Sequence, residues 1–214
     1  MPTHKVKQGE HISSIAEHYG FSDYRVIWDD GQNAKLKQLR KNPHTLLPGD
    51  ELFIPEKQSG LKSVSTEQHY RFKLSGSTLK LNLVIKDFDG KPFEDTACRL
   101  HIGNQVHDLQ TDDNGMVQAP ISHDAHEALL QFEDPSLPFD VNIAVKIGHL
   151  DPIDTITGQK ARLRNMGYYH GPVDNEPSSA YQYSVEEFQC DFDLTVDGVC
   201  GEQTQNKLKQ EHGC

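Results

Sequence analysis

The sequence has little of what marks several classes of protein. Its 214 residues include one tryptophan and four cysteines, and aromatic residues make up 8% of the chain. No apolar run approaches the roughly 18 residues that a membrane-spanning helix needs. The opening residues, MPTHKVKQGEH, also lack the apolar segment of a secretory signal peptide. We therefore expect a chain that is cytoplasmic as synthesised, and that reaches the periplasm or the outside only through a machine that reads no such signal.

Basic residues are also in deficit. The chain has 21 Lys and Arg against 32 Asp and Glu, which gives a formal net charge of −11. The first 60 residues are neutral, and the deficit lies in the rest: residues 61–150 hold 13 acidic and 8 basic residues, and residues 151–214 hold 11 and 5. Nucleic acids and anionic membranes both favour a basic surface. We expect neither of them to be a partner.

Recognisable catalytic patterns are missing as well. A cell-wall hydrolase needs a nucleophile with a base, a zinc triad or paired carboxylates in a cleft. The segment HDAH supplies one histidine pair, His123 and His126, without the H-E-x-x-H context of a zinc protease. The run Asp112-Asp113-Asn114 lacks the spacing of a calcium-binding loop and predicts a solvated turn. We predict no catalytic residue, no metal and no cofactor.

The cysteines leave two states open. Cys190 and Cys200 lie ten residues apart and could form a disulfide in an oxidising compartment. Without an export signal, free thiols are the expected state, and the terminal Cys214 is expected to be exposed.

The first 57 residues alternate between turns and short periodic segments. Ile12, Ile15, Ala16 and Tyr19 recur at the spacing of one helical face after a turn at Gly9. A second helix is expected after Ser22. The pair Pro48-Gly49 predicts a turn before a short strand at residues 52–54, which needs a partner strand near the N-terminus. The pattern predicts the order strand, helix, helix, strand.

Two segments of this region, HKVKQGEHISSIAEHYGF and NPHTLLPGDELFIP, resemble the two ends of a LysM domain. The resemblance implies binding of N-acetylglucosamine-containing chains, such as peptidoglycan or chitin, in a groove between two loops. The loop residues it implicates are Gly9, Glu10, His11, Ile12, Asn42, His44, Thr45 and Leu46. The intervening WDDGQNAKLKQLRK is longer and more charged than the family pattern. Alternatively, Asn42 and Thr45 only hold their loop through hydrogen bonds to the backbone.

A polar linker is expected at residues 58–68, and the apolar period then changes to two. Alternating apolar residues near 79–85, 98–102 and 141–147, with turns between them, predict a small antiparallel β-sandwich over residues 69–150. The segment IKDFDGKPFEDTACRLHIGNQVHDLQTDDNGMVQAPI is similar to transthyretin-like or carboxypeptidase-regulatory repeats. We expect this domain to act as a spacer or adaptor.

Residues 151–214 return to helical periodicity and contain a near-repeat, with Val173-Asp174 and Val196-Asp197 in corresponding places. The stretch from GQKARLRNMGYY to VDGVCGEQTQNKL resembles a three-helix peptidoglycan-binding domain. The family motif falls on Asp197, Gly198, Gly201 and Thr204. The first repeat departs from it, since Asn175 stands where the motif has glycine. We expect Asp197 to hold its turn as a structural residue.

The predicted fold is thus multidomain α+β: a LysM unit at 1–57, a linker, a β-sandwich spacer and a helical domain at 151–214. Three functions remain open. The chain could be a non-catalytic peptidoglycan-binding protein, similar to accessory or cargo proteins of type VI secretion or contractile injection systems. It could be an adaptor whose modules bind an effector, spike or baseplate protein. It could also be a wall hydrolase with an unrecognised site, for instance one built from His101, His107 and Asp108.

Overall fold

The computed structural model describes residues 2–57, 66–71, 79–87, 89–132 and 141–213. Most of the predicted linker, together with Cys214, lies outside the described residues. These described ranges form a mixed structure with six α-helices, one 3-10 helix and several antiparallel sheets. The chain divides into two compact units, residues 1–44 with 48–148 and residues 45–47 with 149–214. The predicted boundaries among three domains stay predictions.

The N-terminal region begins and ends with short paired strands. The strands and helices are β1 (Thr3–Lys5), α1 (Ile12–His18), α2 (Arg25–Trp28), a 3-10 helix (Gly31–Asn33), α3 (Ala34–Arg40) and β2 (Glu51–Phe53). The strands β1 and β2 run antiparallel, with His4 opposite Leu52. The Val6 amide extends the pairing by donating to the Asp50 carbonyl at 2.9 Å. The paired ends therefore hold the helices between them.

The prediction of two helices in this region is wrong, because there are three. The segment expected as a charged insertion forms the 3-10 helix and α3. Asn33 anchors its start: its side-chain amide donates to the Ile27 and Phe53 carbonyls at 2.8 and 2.9 Å and accepts from the Phe53 amide. At the other end, Arg40 forms a two-pronged ion pair with Asp50, whose oxygens lie 2.8 and 2.9 Å from it.

The described residues between 79 and 148 form two antiparallel sheets around one core, as the alternating pattern predicts. The strands are β3 (Leu79–Val84), β4 (Ala97–Ile102), β5 (Gln105–Gln110), β6 (Met116–Ile121), β7 (Glu127–Phe132) and β8 (Asn142–Lys146). One sheet pairs β3 with β6, and the other has the order β5-β4-β7-β8. Val117 and Ala119 of the first sheet share a buried cluster with Leu100 and Leu130 of the second. We call residues 79–148 the sandwich.

The C-terminal unit contains the three predicted helices, α4 (Ile156–Asn165), α5 (Ser179–Asp191) and α6 (Glu202–His212). The Thr155 hydroxyl caps α4 by accepting from the Gly158 amide at 3.0 Å, and the Ser178 hydroxyl caps α5. Leu163, Val185, Phe188 and Leu208 are at most 1% exposed and form the core. Across the described ranges, no helix is both long and apolar enough to cross a bilayer.

Candidate functional site

A surface cavity of about 190 Å³ lies where α5 and the start of α6 meet the second of the two near-repeat turns. The residues lining it are Gln189, Leu194, Thr195, Asp197, Val199, Gly201, Glu202, Gln203 and Thr204. Three of the four residues that the sequence predicts for this module, Asp197, Gly201 and Thr204, are among them. The fourth, Gly198, lies within the same turn.

One buried side chain organises this turn. Gln189 is 1% exposed, and its amide nitrogen lies 2.8 Å from Asp197 Oδ1, 3.1 Å from the Val199 carbonyl and 3.0 Å from Thr204 Oγ1. Its amide oxygen accepts from the backbone N–H groups of Asp197 and Gly198, both at 3.0 Å. All hydrogen-bonding positions of the amide are thereby used. Gln189 fixes both the turn and the beginning of α6.

Asp197 and Gly198 hold the turn from within. Asp197 Oδ1 accepts from the Val199 amide at 2.9 Å, and this bond and that of Gln189 hold the pKa of the carboxyl below its usual value. Gly198 has a φ of +69°, and a Cβ there would lie 2.7 Å from Gln182 Cγ. A side chain at position 198 would therefore be strained by the backbone conformation and would have to displace the side chains of Gln182 and Glu186.

The first near-repeat turn is held in a similar way by a different side chain. Lys160 is 1% exposed, and its amine donates to Asp174 Oδ1 and to the Glu176 carbonyl, both at 2.7 Å. These bonds match those of Gln189 to Asp197 and to the Val199 carbonyl. Burial lowers the pKa of Lys160, but bonds to Asp174 and Tyr169 outweigh it, so the pKa is raised. An ammonium group here replaces the amide of the second turn.

The predicted glycan groove of the N-terminal region has mostly buried side chains. Five of the eight predicted residues are buried: Gly9, His11, Ile12, Thr45 and Leu46. The other three are at least partly exposed: Glu10, Asn42 and His44. Of the predicted groove, a glycan would therefore meet mainly these three residues. Asn42 Oδ1 accepts from the His44 amide at 2.9 Å, the local loop-holding bond expected in the alternative interpretation.

Glu10 and His11 both have structural contacts. The Glu10 carboxylate lies 2.8 Å from both His4 Nε2 and the Lys7 amide. Burial raises the pKa of Glu10, but these bonds outweigh it and the pKa is lowered. His11 caps α1, because its Nδ1 accepts from the Ser14 amide at 3.4 Å. Its Nε2 is buried and has no hydrogen-bond partner among the described residues.

The alternative enzyme site is contradicted by the strand register. His101 pairs with Val106 and His107 pairs with Leu100 across β4 and β5. Since neighbouring residues of a strand point to opposite faces, His101 and His107 lie on opposite faces of the sheet and do not converge. Within the described ranges, no three His, Cys, Asp or Glu residues are placed to hold a metal ion. Cys190 and Cys200 are free thiols, and burial raises the pKa of Cys200 to about 11.

Comparison with known proteins bears on the C-terminal unit. Residues 156–208 match the family model described as "Putative peptidoglycan binding domain". A segment of 51 residues is 33% identical to a spore cortex-lytic enzyme of Oceanobacillus iheyensis. That segment makes up 24% of this chain and 18% of the enzyme, so the chain spans a small part of this relative. No solved structure matches the chain.

The predicted peptidoglycan-binding domain is thus confirmed at the family level for residues 156–208. Sequence reasoning identified its motif residues but missed Gln189 and Lys160 as the side chains that fix the two turns. Gln189 directly follows the core residue Phe188, but no such local signal marks Lys160, whose neighbours in the chain are Gln159 and Ala161. The LysM and transthyretin-like resemblances remain predictions.

Proposed function

We propose that this chain is a non-catalytic cell-wall protein that binds peptidoglycan through residues 156–208. The observation that carries the proposal is the family match, which covers all of α4 and α5 and most of α6. The cavity beside Asp197 is the proposed contact surface. The similarity to a lytic enzyme extends over 51 residues, about the length of this domain. We therefore attribute the similarity to shared wall binding and not to shared lysis.

The proposal includes a second wall contact in the N-terminal region. Its loops would bind an N-acetylglucosamine-containing glycan through Glu10, Asn42 and His44, the predicted groove residues that are at least partly exposed. Acetamido groups require donors and acceptors of this kind beside a small apolar surface. A binder with two wall contacts and no catalytic centre suits an accessory or cargo protein of a type VI secretion or contractile injection system.

A second candidate function is that of a protein adaptor, and the charge of the C-terminal unit favours it. Residues 151–214 contain 11 acidic and 5 basic residues. Two of the basic residues, Lys160 and Arg162, are 1% exposed. The surface of the unit is consequently more acidic than its composition indicates. Such a surface would suit a basic face of an effector, spike or baseplate protein.

The wall-binding proposal predicts that a charge placed in the cavity removes the chain from sacculi. Val199 and Val196 are three residues apart in the same turn and are 61% and 54% exposed, but only Val199 lines the cavity. Val199→Asp should lower retention on purified peptidoglycan sacculi about tenfold, equivalent to about 1.4 kcal/mol. Val196→Asp is the matched control and should pellet as the wild type does. Co-sedimentation with sacculi measures both.

The outcomes separate the two candidate functions. If both variants pellet like the wild type, the cavity is not the wall-contacting surface. If the wild type itself stays in solution, peptidoglycan binding by residues 156–208 is wrong for this chain. The adaptor function then becomes the leading explanation, and it predicts a stable complex with a co-expressed basic partner.

A further inference from the structure

The first loop of the predicted glycan groove, Gly9–Ile12, packs against the end of the sandwich. Gly148 has a φ of +76°, and a Cβ at this position would lie 2.5 Å from the Gly9 carbonyl oxygen and 3.3 Å from His11 Cδ2. Real Cβ atoms do not approach a backbone oxygen so closely. Glycine at position 148 therefore permits a direct backbone contact between the sandwich and the loop.

A second contact lies beside the first. His123, in the turn between β6 and β7, has its Nδ1 3.6 Å from Glu17 Oε2 on α1. A cavity of about 280 Å³ opens between α1 and this turn. Its lining combines side chains of both regions: His4, Glu10, Ser14, Ile15, Glu17, His18, His123, Asp124 and His126. The helix that follows the loop thus also faces the sandwich.

These contacts affect the residues that a glycan would need. Gly9 and His11 are two of the four first-loop residues assigned to the groove, and both are buried with Gly148 against them. A sugar and the Gly148 backbone cannot occupy the same side of the loop. The Gly9 carbonyl, a natural acceptor for an acetamido N–H, faces the sandwich.

We propose that the sandwich masks the first loop of the glycan groove, so that glycan binding by the N-terminal region requires the loop to separate from Gly148. This inference rests on the proposed glycan binding of residues 1–57 and is independent of wall binding by residues 156–208. The masked state lowers the apparent affinity for glycan by the fraction of molecules that are open. The N-terminal region then binds glycan weakly unless the sandwich is displaced from the loop.

Gly148→Ala tests the proposal, with Gly90→Ala as its matched control. Both glycines have a φ of +76°, so alanine introduces the same backbone strain at each. A Cβ at Gly90 meets nothing within 4 Å, whereas one at Gly148 collides with the loop. The readouts, on the full chain, are amide hydrogen exchange over residues 9–15 and calorimetric titration with a soluble N-acetylglucosamine oligomer. We expect Gly148→Ala to raise loop exchange and oligomer affinity each about tenfold, and Gly90→Ala to change neither.

A second variant tests the same contact in case Gly148→Ala does not fold. His123→Glu places a carboxylate opposite Glu17 on a partly exposed surface and should loosen the same contact without a backbone clash. Circular dichroism establishes that each variant is folded. Agreement between the two variants in loop exchange and in affinity supports masking.

Other results would contradict either masking of the loop or glycan binding by the N-terminal region. Unchanged loop exchange in both variants would show that the contact covers nothing, which overturns masking. Wild-type affinity equal to that of the opened variants overturns masking while leaving glycan binding intact. If loop exchange rises but no form of the protein binds the oligomer, glycan binding by the N-terminal region is wrong, and masking of a glycan site is wrong with it. Sacculus retention through residues 156–208 is unaffected by that result.

Discussion

Gln189→Leu is expected to lower the free energy of unfolding of the C-terminal unit by about 3 kcal/mol. Leucine fills a similar volume but offers no hydrogen bond, so five interactions with the turn and with α6 are lost. Thr204 is 5% exposed, so its hydroxyl would be left away from water without its amide partner. The protection of the Asp197 and Gly198 amides against hydrogen exchange should fall with the stability. Sacculus retention should fall too, because this turn lines the cavity.

Two further variants separate the role of the amide from general damage to α5. Gln189→Glu keeps the shape and an acceptor oxygen but removes the donor nitrogen and places a carboxylate beside Asp197, so it should destabilise the unit at neutral pH and less so in acid. Gln182→Leu removes an exposed glutamine whose amide nitrogen donates to Glu186 Oε1 on the same helix at 3.0 Å, and it should change stability by no more than about 0.5 kcal/mol. Gln189→Leu behaving like Gln182→Leu would contradict the central role assigned to Gln189.

The elements of this protein that depend on periodicity could be predicted from the sequence. The alternation of Leu79, Leu81 and Leu83 with polar residues predicts β3. The pattern arises because every second side chain of the strand faces the core that the two sheets share. The helical spacing of Tyr181, Val185 and Phe188 predicts α5 for the same physical reason. In both cases burial of one face determines the pattern.

The helix α3 could not be predicted in this way. It has no buried residues, so no apolar face marks it in the sequence. Its position depends on contacts at its two ends, the hydrogen bonds of Asn33 to β2 and the ion pair of Arg40 with Asp50. Such contacts join residues 10 to 20 positions apart in the chain, and a local pattern contains no information about them.

The roles of individual polar residues were similarly hidden. Lys160 and Gln189 hold equivalent turns, yet one is an ammonium and the other an amide, so no shared motif identifies them. The two turns also differ in backbone conformation. Gly198 of the second turn has a positive φ, whereas Asn175, which stands at the corresponding position of the first turn, does not. The sequence identified the turns, and only the structure identifies what fixes them.

His11 illustrates a further ambiguity. In the sequence, a polar residue that lies beside a predicted groove and just before a helix can be interpreted either as a ligand contact or as a helix N-cap. The structure uses it as the cap of α1. His11 is 6% exposed, and burial together with the charges of His44, His123 and His126 lowers its pKa to about 4.

This lowered pKa predicts that acid destabilises the N-terminal region through His11. The unfolded chain binds a proton at His11 near pH 6.5, whereas the folded chain binds it only near pH 4. Between these values the unfolded state holds more protons, so the stabilising contribution is present above about pH 6.5 and is lost as the pH falls towards 4. We expect a loss of about 2 kcal/mol between pH 7.5 and pH 5. Denaturant unfolding followed by the fluorescence of Trp28, the single tryptophan, measures it.

His11→Asn isolates this contribution. Asparagine is a favoured N-cap residue, so it can accept from the Ser14 amide as His11 does, but it cannot take up a proton in this range. The free energy of unfolding of the variant should not show the loss of about 2 kcal/mol between pH 7.5 and pH 5. This holds whatever the stability of the variant at neutral pH, because the two pH values are compared within the same protein. His18→Asn removes an exposed histidine of the same helix and should retain the wild-type loss. If His11→Asn loses as much stability in acid as the wild type, the buried ring of His11 is not the group that titrates, and the acid sensitivity of the region must come from other groups around α1.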